Sequence, residues 1–331
     1  MKDLVTMNDS FGRQVDYLRI SITDRCNERC LYCMPEGYKG WEQTADHLTT
    51  GEILRIVRVA ASLGFRKFRL TGGEPLVRRD ILEIVRGMRE VPGVEIIGLS
   101  TNATKLAALA EPLLEAGVRT VNVSLDALDP LIYRNVTGGD VNSVITGIRA
   151  AVAAGFERVK LNTVLMRGVN EQEIWPLVLF AAEHGLPLRL IELMPLTRTD
   201  VLTEKNFFPI GDAMRLLSQR DELIPQPDTK IGHGPAKYYL LKQTGALVGF
   251  IGALTNLHFC EHCNKMRLTA DGKIRPCLGD HGEIDLRTSL RRTTDDGELK
   301  EIFLSALRSK PLEHHFREQY KPARPMTAIG G

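Results

Sequence analysis

The 331-residue chain has no excess of either charge: 43 Lys and Arg stand against 41 Asp and Glu. That balance gives no bulk attraction to nucleic acid or to an anionic membrane surface, so any anionic ligand must be held by a local basic cluster. Long apolar runs are missing too. Stretches such as Ile174 to Ala182 are too short to cross a bilayer, and no basic segment with a following apolar core opens the chain, so a soluble cytoplasmic protein is expected. No internal period of the solenoid or propeller kind is present. Cysteine is scarce, and all six residues fall into two triplets, Cys26, Cys30, Cys33 and Cys260, Cys263, Cys277. Without a secretion signal such clusters read as metal ligands kept reduced rather than as disulfides.

The composition is that of an ordinary globular chain, 43% hydrophobic and 25% charged. Its length fits one large domain with an appendage, or two domains. Short β-rich runs alternate with helical patterns six times, at Tyr17 to Ile22, Lys67 to Leu70, Val94 to Leu99, Thr120 to Leu125, Val159 to Leu165 and Leu188 to Leu193. Thr49 and Glu52 form a capping box before a run ending at Gly64, and Asn170 with Glu173 opens another ending at Gly185. Asp80, Thr104 and Asn142 are further helix starts. Strands alternating with helices predict a parallel sheet with right-handed crossovers, an α/β partial barrel.

Sites on such sheets lie at the strand C-terminal ends. Here those ends carry Thr23 onward, Thr71 to Pro75, Ser100 to Asn102, Ser124 to Asp126, and Met194 with Pro195. After about residue 225 the pattern breaks into a Pro/Gly-rich loop. Short strands at Tyr238 to Leu241 and Leu247 to Ile251 follow, then the second triplet, a hairpin turn at Asp271-Gly272 and a charged helix over Gly297 to Leu307. The expected division is 1–225 for the barrel and 226–331 for a C-terminal region that closes it.

A cubane iron–sulfur cluster normally takes four thiolates, so a group of three leaves one iron open. Zinc prefers four protein ligands, and the nearest histidine to the first triplet is His47. For the second triplet, His258, His262 or His281 would complete a Cys3His zinc site, so residues alone leave cluster and zinc both open there. Asn122, Ser124 and Asp126 share one face of a strand by period two, as do Lys160 and Asn162. Polar residues inside buried strands predict a lumen holding a polar ligand. Arg19, Arg69, Lys160, Lys265 and Arg267 are the candidate cations for phosphate oxygens.

The loop Asp24-Arg25-Cys26-Asn27, Cys30, Tyr32-Cys33, with Thr71-Gly72-Gly73-Glu74-Pro75, resembles the radical S-adenosylmethionine (SAM) enzymes. The second triplet, spaced C-x2-C-x13-C, extends the match to the GTP 3′,8-cyclase family, which opens molybdenum cofactor biosynthesis; the similarity runs from Tyr17 to Gly331. The resemblance implies a (β/α)6 TIM-like radical SAM barrel with a C-terminal extension, SAM and two 4Fe-4S clusters. One cluster sits on Cys26, Cys30 and Cys33, the other on Cys260, Cys263 and Cys277. It points to Tyr32, Gly73, Ser124 and Met194 for SAM, and to Arg19, Arg69, Ser100, Lys160, Lys265, Met266 and Arg267 for GTP. Ser100 stands where relatives often have Thr, and Lys265 where they often have Arg.

The terminal glycines Gly330 and Gly331, with Arg267, are implied in catalysis. The implied reaction converts GTP to (8S)-3′,8-cyclo-7,8-dihydroguanosine 5′-triphosphate. The implied partners are a one-electron donor such as flavodoxin and the next enzyme, cyclic pyranopterin monophosphate synthase; the sequence leaves room for a homodimer. The competing readings are a radical SAM maturase acting on a peptide, and an iron–sulfur or zinc binding module.

Overall fold

The computed structural model describes residues 7–34, 47–196, 203–229, 231–232, 234–318 and 320–330. Twelve strands form one sheet. The repeating part runs β1 (Tyr17–Ser21), α1 (Thr50–Leu63), β2 (Lys67–Thr71), α2 (Ile81–Arg89), β3 (Ile96–Thr101), α3 (Leu106–Ala116), β4 (Thr120–Ser124), α4 (Pro130–Thr137), α5 (Val141–Ala154), β5 (Arg158–Leu165), α6 (Ile174–Glu183) and β6 (Leu188–Glu192). The rest comprises α7 (Ile210–Ser218), β7 (Leu223–Pro225), β8 (Lys237–Leu241), β9 (Leu247–Ile251), β10 (Lys265–Leu268), β11 (Lys273–Arg275), β12 (Ile284–Asp285), α8 (Arg287–Arg292), α9 (Asp296–Arg308) and α10 (Met326–Ile329).

Strand order is β12-β11-β10-β1-β2-β3-β4-β5-β6-β9-β8-β7. The order does not return on itself, so the barrel is partial. The six expected strands are parallel neighbours in sequence order, and β10 joins β1 while β9 joins β6, both parallel. Antiparallel hairpins finish each side. The chain after residue 226 therefore flanks both edges of the six-strand run, an arrangement that local sequence pattern does not encode.

Alternation decides which side chain goes where. Leu18, Ile20, Phe68, Leu70, Val121, Val123, Leu161, Leu188 and Leu190 face the helices and are completely buried. They pack with Ile53, Ile56 and Val57 of α1, Ile84 and Val85 of α2, and Val144 and Ile148 of α5 in one core. Truncating such a side chain to alanine costs roughly 2–5 kcal/mol. The intervening residues Arg19, Arg69, Asn122, Lys160, Asn162 and Arg189 fall on the opposite, lumenal face. Gly98 follows from this: a Cβ there would lie 2.5 Å from Arg69 Nη2, so the glycine makes room for the guanidinium.

Helix starts followed the expected chemistry unevenly. Thr49 and Glu52 form the full capping box of α1, and Gly64 ends it in the left-handed region. At α5 the cap is Asp140, whose carboxylate accepts the Asn142 N–H, not Asn142 itself. Thr104 does not cap α3, and Asn170 spends its side chain elsewhere, donating to the Asp126 and Val164 carbonyls. Asp80 stands at the start of α2 but gives its carboxylate to Arg78 and Thr50. β3 begins two residues later than its apolar run and extends through Thr101, because Ser100 and Thr101 still pair with β4. The hairpin at Asp271-Gly272 and helix α9 stand where the sequence places them.

Among the described residues no helix is long and apolar enough to cross a membrane.

Candidate active site

Cys26, Cys30 and Cys33 follow the C-terminal end of β1. Cys263 precedes β10, which runs parallel to β1, and Cys277 follows the antiparallel β11. The two triplets therefore sit at opposite ends of the sheet, separated by a strand length of roughly 15 Å. All six cysteines line a single cavity of about 800 Å³. The local turn is the same at both ends: Cys33 N–H donates to the Cys30 carbonyl and Cys263 N–H to the Cys260 carbonyl, each at 3.0 Å.

The glycine pair after β2 has a clear steric cause. A Cβ on Gly72 would lie 2.2 Å from the Thr23 carbonyl oxygen, and one on Gly73 equally close to that of Arg25. Gly73 N–H donates to Thr23 O (2.8 Å) and Glu74 N–H to Arg25 O (2.7 Å). The pair thus lets the β2 end lie against the backbone of the cysteine loop. Glu74 fixes the other side, accepting from Thr101 Oγ1 and from the Asn102 and Leu76 N–H groups. A Gly73→Ala chain is expected to push the cysteine loop aside at a cost of about 1–3 kcal/mol. Calorimetry should show a lower Tm and iron analysis poorer loading of the first triplet; unchanged loading would refute this role.

The donor set of the first triplet fits a cluster better than zinc. Among the described residues no three His, Cys, Asp or Glu side chains form a group that could hold a single metal ion. Three of the four candidate histidines are engaged elsewhere: His47 with Asp24 (3.0 Å), His258 with Glu261 (2.5 Å), and His281 stacked on Tyr320. At the first triplet a cysteine-only set with N–H groups near sulfur remains, Glu28 N–H at 3.5 Å and Asn102 Nδ2 at 3.9 Å from Cys26 Sγ, while at the second His262 also lines the cavity. Such donors suit a multi-iron cluster.

The cavity is electrostatically polarised. At the first triplet stand three buried carboxyls, Glu28, Glu74 and Asp126. Burial raises Glu28 and Glu74 to about 7 and Asp126 to about 6. Tyr133 donates to Glu28 (2.8 Å) and Tyr32 to Asp126 (2.6 Å). Burial, then the charges of Glu74, Cys33 and Glu28, drives the Cys26 thiol up to about 12. Toward the second triplet the wall and the layer behind it turn basic. Arg69, Lys160, Arg189 and Arg267 are buried, Arg19 is half-buried, and Lys265 lies beside Cys263. Burial and then the charge of Arg267 work against the Arg19 proton. At Cys263 burial raises the thiol pKa, but the charges of Lys310 and Lys265 outweigh it and the net shift is downward.

Sheet register assembles this group. Arg19 pairs with Arg69 on one side and Arg267 on the other, Ser100 with Asn122 and Asn122 with Lys160, and Ser124 with Asn162 and Asn162 with Arg189. Arg19 Nε, Ser100 Oγ, Asn122 Oδ1, Asn162 Oδ1 and Arg189 Nε and Nη2 are buried with no partner among the described residues. Each such atom costs roughly 1–3 kcal/mol unless a ligand or water meets it, so the lumen is built for a polar guest.

Of the residues singled out in the sequence, Arg19, Tyr32, Gly73, Ser100, Ser124, Met194, Lys265 and Arg267 line the cavity with the cysteines. Arg69 lies behind the wall, donating to Tyr17 Oη (2.6 Å), Thr120 Oγ1 (2.9 Å) and the Leu99 carbonyl. Lys160 also lies behind it, with Nζ 3.4 Å from the Ile231 carbonyl. Met266 turns its side chain into the core. Arg267 donates to the Gly330 carbonyl, which brings the tail to β10. A Cβ on Gly330 would meet Thr71 Cγ2 at 2.8 Å, and its φ of 76° also favours glycine. Gly331 lies outside the described residues.

Sequence reasoning missed Arg189 and Lys310. Arg189 carried the same signal as Lys160, a charge inside a buried strand. Lys310 carried none, since it follows a helix end among other charges.

Comparison with known proteins agrees with this architecture. The family model described as Radical SAM superfamily matches residues 20–181, and that described as Molybdenum Cofactor Synthesis C matches 186–316. The GTP 3′,8-cyclase of Moorella thermoacetica is 46% identical, aligned over 98% of this chain and 100% of its own length. That of Pelotomaculum thermopropionicum is 43% identical over the same shares. Among solved structures, Streptococcus suis SuiB bound to S-adenosylmethionine superposes with a TM-score of 0.61 at 16% identity, over 90% of this chain and 64% of that one. SuiB bound to its precursor peptide SuiA gives 0.60 at 17% identity, over 90% and 65%. At these identities the likeness is one of fold.

Proposed function

This chain belongs to the GTP 3′,8-cyclase family of the radical SAM superfamily, and from that premise we propose that it converts GTP to (8S)-3′,8-cyclo-7,8-dihydroguanosine 5′-triphosphate, the first step of molybdenum cofactor biosynthesis. The observation that carries the proposal is the polarity of the cavity. SAM bears a sulfonium and an ammonium, and the acidic end with Glu28, Glu74 and Asp126 complements a cation. GTP bears a triphosphate, and the buried Arg and Lys residues of the other end complement a polyanion.

Cys26, Cys30 and Cys33 would hold the first 4Fe-4S cluster, with Tyr32, Gly73, Ser124 and Met194 around SAM. When bound, that cluster and SAM supply one-electron cleavage of the sulfonium and the carbon radical it yields. We propose a second 4Fe-4S cluster on Cys260, Cys263 and Cys277, with GTP held by Arg19, Arg69, Ser100, Lys160, Lys265, the Met266 backbone and Arg267, and by Arg189 in addition. The unpartnered Arg19, Ser100 and Arg189 atoms support this reading. The chain's own share is orientation: two opposed ends fix C3′ of GTP against the 5′ carbon of SAM and exclude water. Gly330 would border this seat, its carbonyl held by Arg267, and a catalytic part for Gly331 belongs to the same proposal.

The division into 1–225 and 226–331, a flavodoxin-type electron donor, delivery of product to cyclic pyranopterin monophosphate synthase, and a homodimeric state belong to the same proposal. The sheet order supports the division, since strands from 226–331 flank both edges of the repeating part.

An anaerobic assay with dithionite, SAM and GTP tests the function. Formation of 5′-deoxyadenosine together with the cyclised nucleotide, seen by mass spectrometry, is the expected result. The fold likeness to SuiB keeps a peptide substrate as the second reading; deoxyadenosine with no GTP-derived product from a fully loaded chain would favour it.

Lys160 makes the seat pH-sensitive. Burial, then the charges of Arg189, Arg69 and Arg158, lower it to about 6 in the ligand-free chain. A triphosphate beside it favours the ammonium, so GTP binding near pH 7.5 should take up protons and weaken as pH rises. Calorimetry in buffers of different ionisation enthalpy should report the uptake, and Lys160→Met should remove it; a buffer-independent heat in the unmodified chain would refute it. In the ligand-free chain the same depression makes the folded form bind fewer protons than the unfolded form between about pH 6 and 10.5. This group's contribution to stability therefore rises with pH across that window.

A further inference from the structure

Among the cations lining the polarised cavity, Lys310 is held against the frame of the second triplet. Lys310 is only 2% exposed, just beyond the end of α9. Its ammonium donates to the Lys265 carbonyl (2.8 Å) and the Pro276 carbonyl (2.8 Å), and lies 3.6 Å from Cys263 Sγ. Those three acceptors match the three N–H bonds of an ammonium. They also belong to three separate pieces of the second triplet's frame: the Cys263 turn, the start of β10, and the residue preceding Cys277.

The nearby Arg13 offers a contrast. It too binds this frame, through the Cys260, Pro311 and Leu312 carbonyls, but Asp9 neutralises it at 2.6 Å. Among the described residues no carboxylate lies within ion-pair distance of Lys310. Burying an uncompensated cation is costly, and among the described residues the sulfurs of Cys263 and Cys277 are the nearby groups that offset it. At the opposite end the charges around the thiols are carboxyls, Glu28 and Glu74. Reduction of an iron–sulfur centre adds an electron, so fixed positive charge and N–H donors at sulfur make it easier, and negative charge makes it harder.

We propose that Lys310 is a positioning residue of the second centre, holding the Cys263 corner in place and setting its reduction potential above that of the first. The proposal rests on the reading that the second triplet carries a cluster. The two ends would then have separate tasks: a strongly reducing centre beside SAM and a more easily reduced one beside GTP, able to accept or return an electron late in the reaction.

The test is an EPR-monitored potentiometric titration of the reconstituted full-length chain, with iron counted per chain. Lys310→Met, which keeps the length of the stem and loses the charge, should make reduction of the second centre about tenfold less favourable, a fall of about 59 mV for one electron, while the first centre stays unchanged. Lys310→Arg should stay near the unmodified value. A Lys310→Met chain with both clusters present and an unshifted second potential would overturn the proposal. If Lys310→Met and Lys310→Gln both fail to load the second triplet, loading at the unmodified potential in Lys310→Arg supports the requirement for charge, and failure there overturns it. An unmodified chain with iron for one cluster only would instead defeat the reading beneath the proposal.

Discussion

A Cys30→Ala chain is expected to release neither 5′-deoxyadenosine nor cyclised nucleotide, a loss of at least about 10³-fold, or about 4 kcal/mol in barrier. Among the described residues the first triplet has no spare donor. His47 is paired with Asp24, and the carboxyls nearby, Glu28 and Asp126, accept from Tyr133 and Tyr32. Removing one of three thiolates leaves a two-point grip on a cubane and no reserve ligand to restore it. Chromatography of quenched anaerobic reactions would measure deoxyadenosine directly, alongside iron per chain. Deoxyadenosine at the unmodified rate would place SAM cleavage somewhere other than this loop.

A Cys277→Ala chain should behave differently, with deoxyadenosine still produced and the cyclised nucleotide reduced by at least about 10²-fold, or about 2.7 kcal/mol. The reason lies in the separation of the two ends. Cys277 follows β11, and the carbonyl of the preceding residue, Pro276, accepts a hydrogen bond from Lys310. Loosening that frame disturbs Lys265 and Arg267, which share the cavity wall with it, but leaves the Glu74 network around the first triplet intact. Uncoupled SAM cleavage is what remains when the radical source survives and its target is misplaced. Tracking both products in one reaction separates the cases, and normal cyclised product would remove the second triplet from the GTP seat.

Much of this was legible from local chemistry. The six parallel strands follow from apolar runs whose polar residues recur every second position, and the lumenal placement of Asn122, Lys160 and Asn162 follows from the same alternation. The cysteine spacings marked both candidate centres. Other features depend on contacts that no local window contains. The parallel pairing of β10 with β1 and of β9 with β6 joins segments far apart in sequence. The resemblance assigns Gly73 to SAM, whereas the closest steric constraint on Gly72 and Gly73 is the carbonyls of Thr23 and Arg25. Capping also misled where a polar side chain had a stronger partner in the tertiary structure, as Asn170 has in the backbone of Asp126 and Val164.

The placement of β9 and β10 on opposite edges bears on how the chain comes to be assembled. Asn264 and Asp16, bonded at 2.7 Å, are 248 residues apart. During synthesis the first cysteine loop can meet its partners, Thr137 and Val136, long before β10 exists. Until the last quarter of the chain emerges, β1 and β6 are bare edges, the kind of surface that pairs with other chains. Pairings of such long range form slowly. The two triplets are thereby completed in order, the first while the second is still untranslated, and a chain truncated after β6 would expose both edges at once.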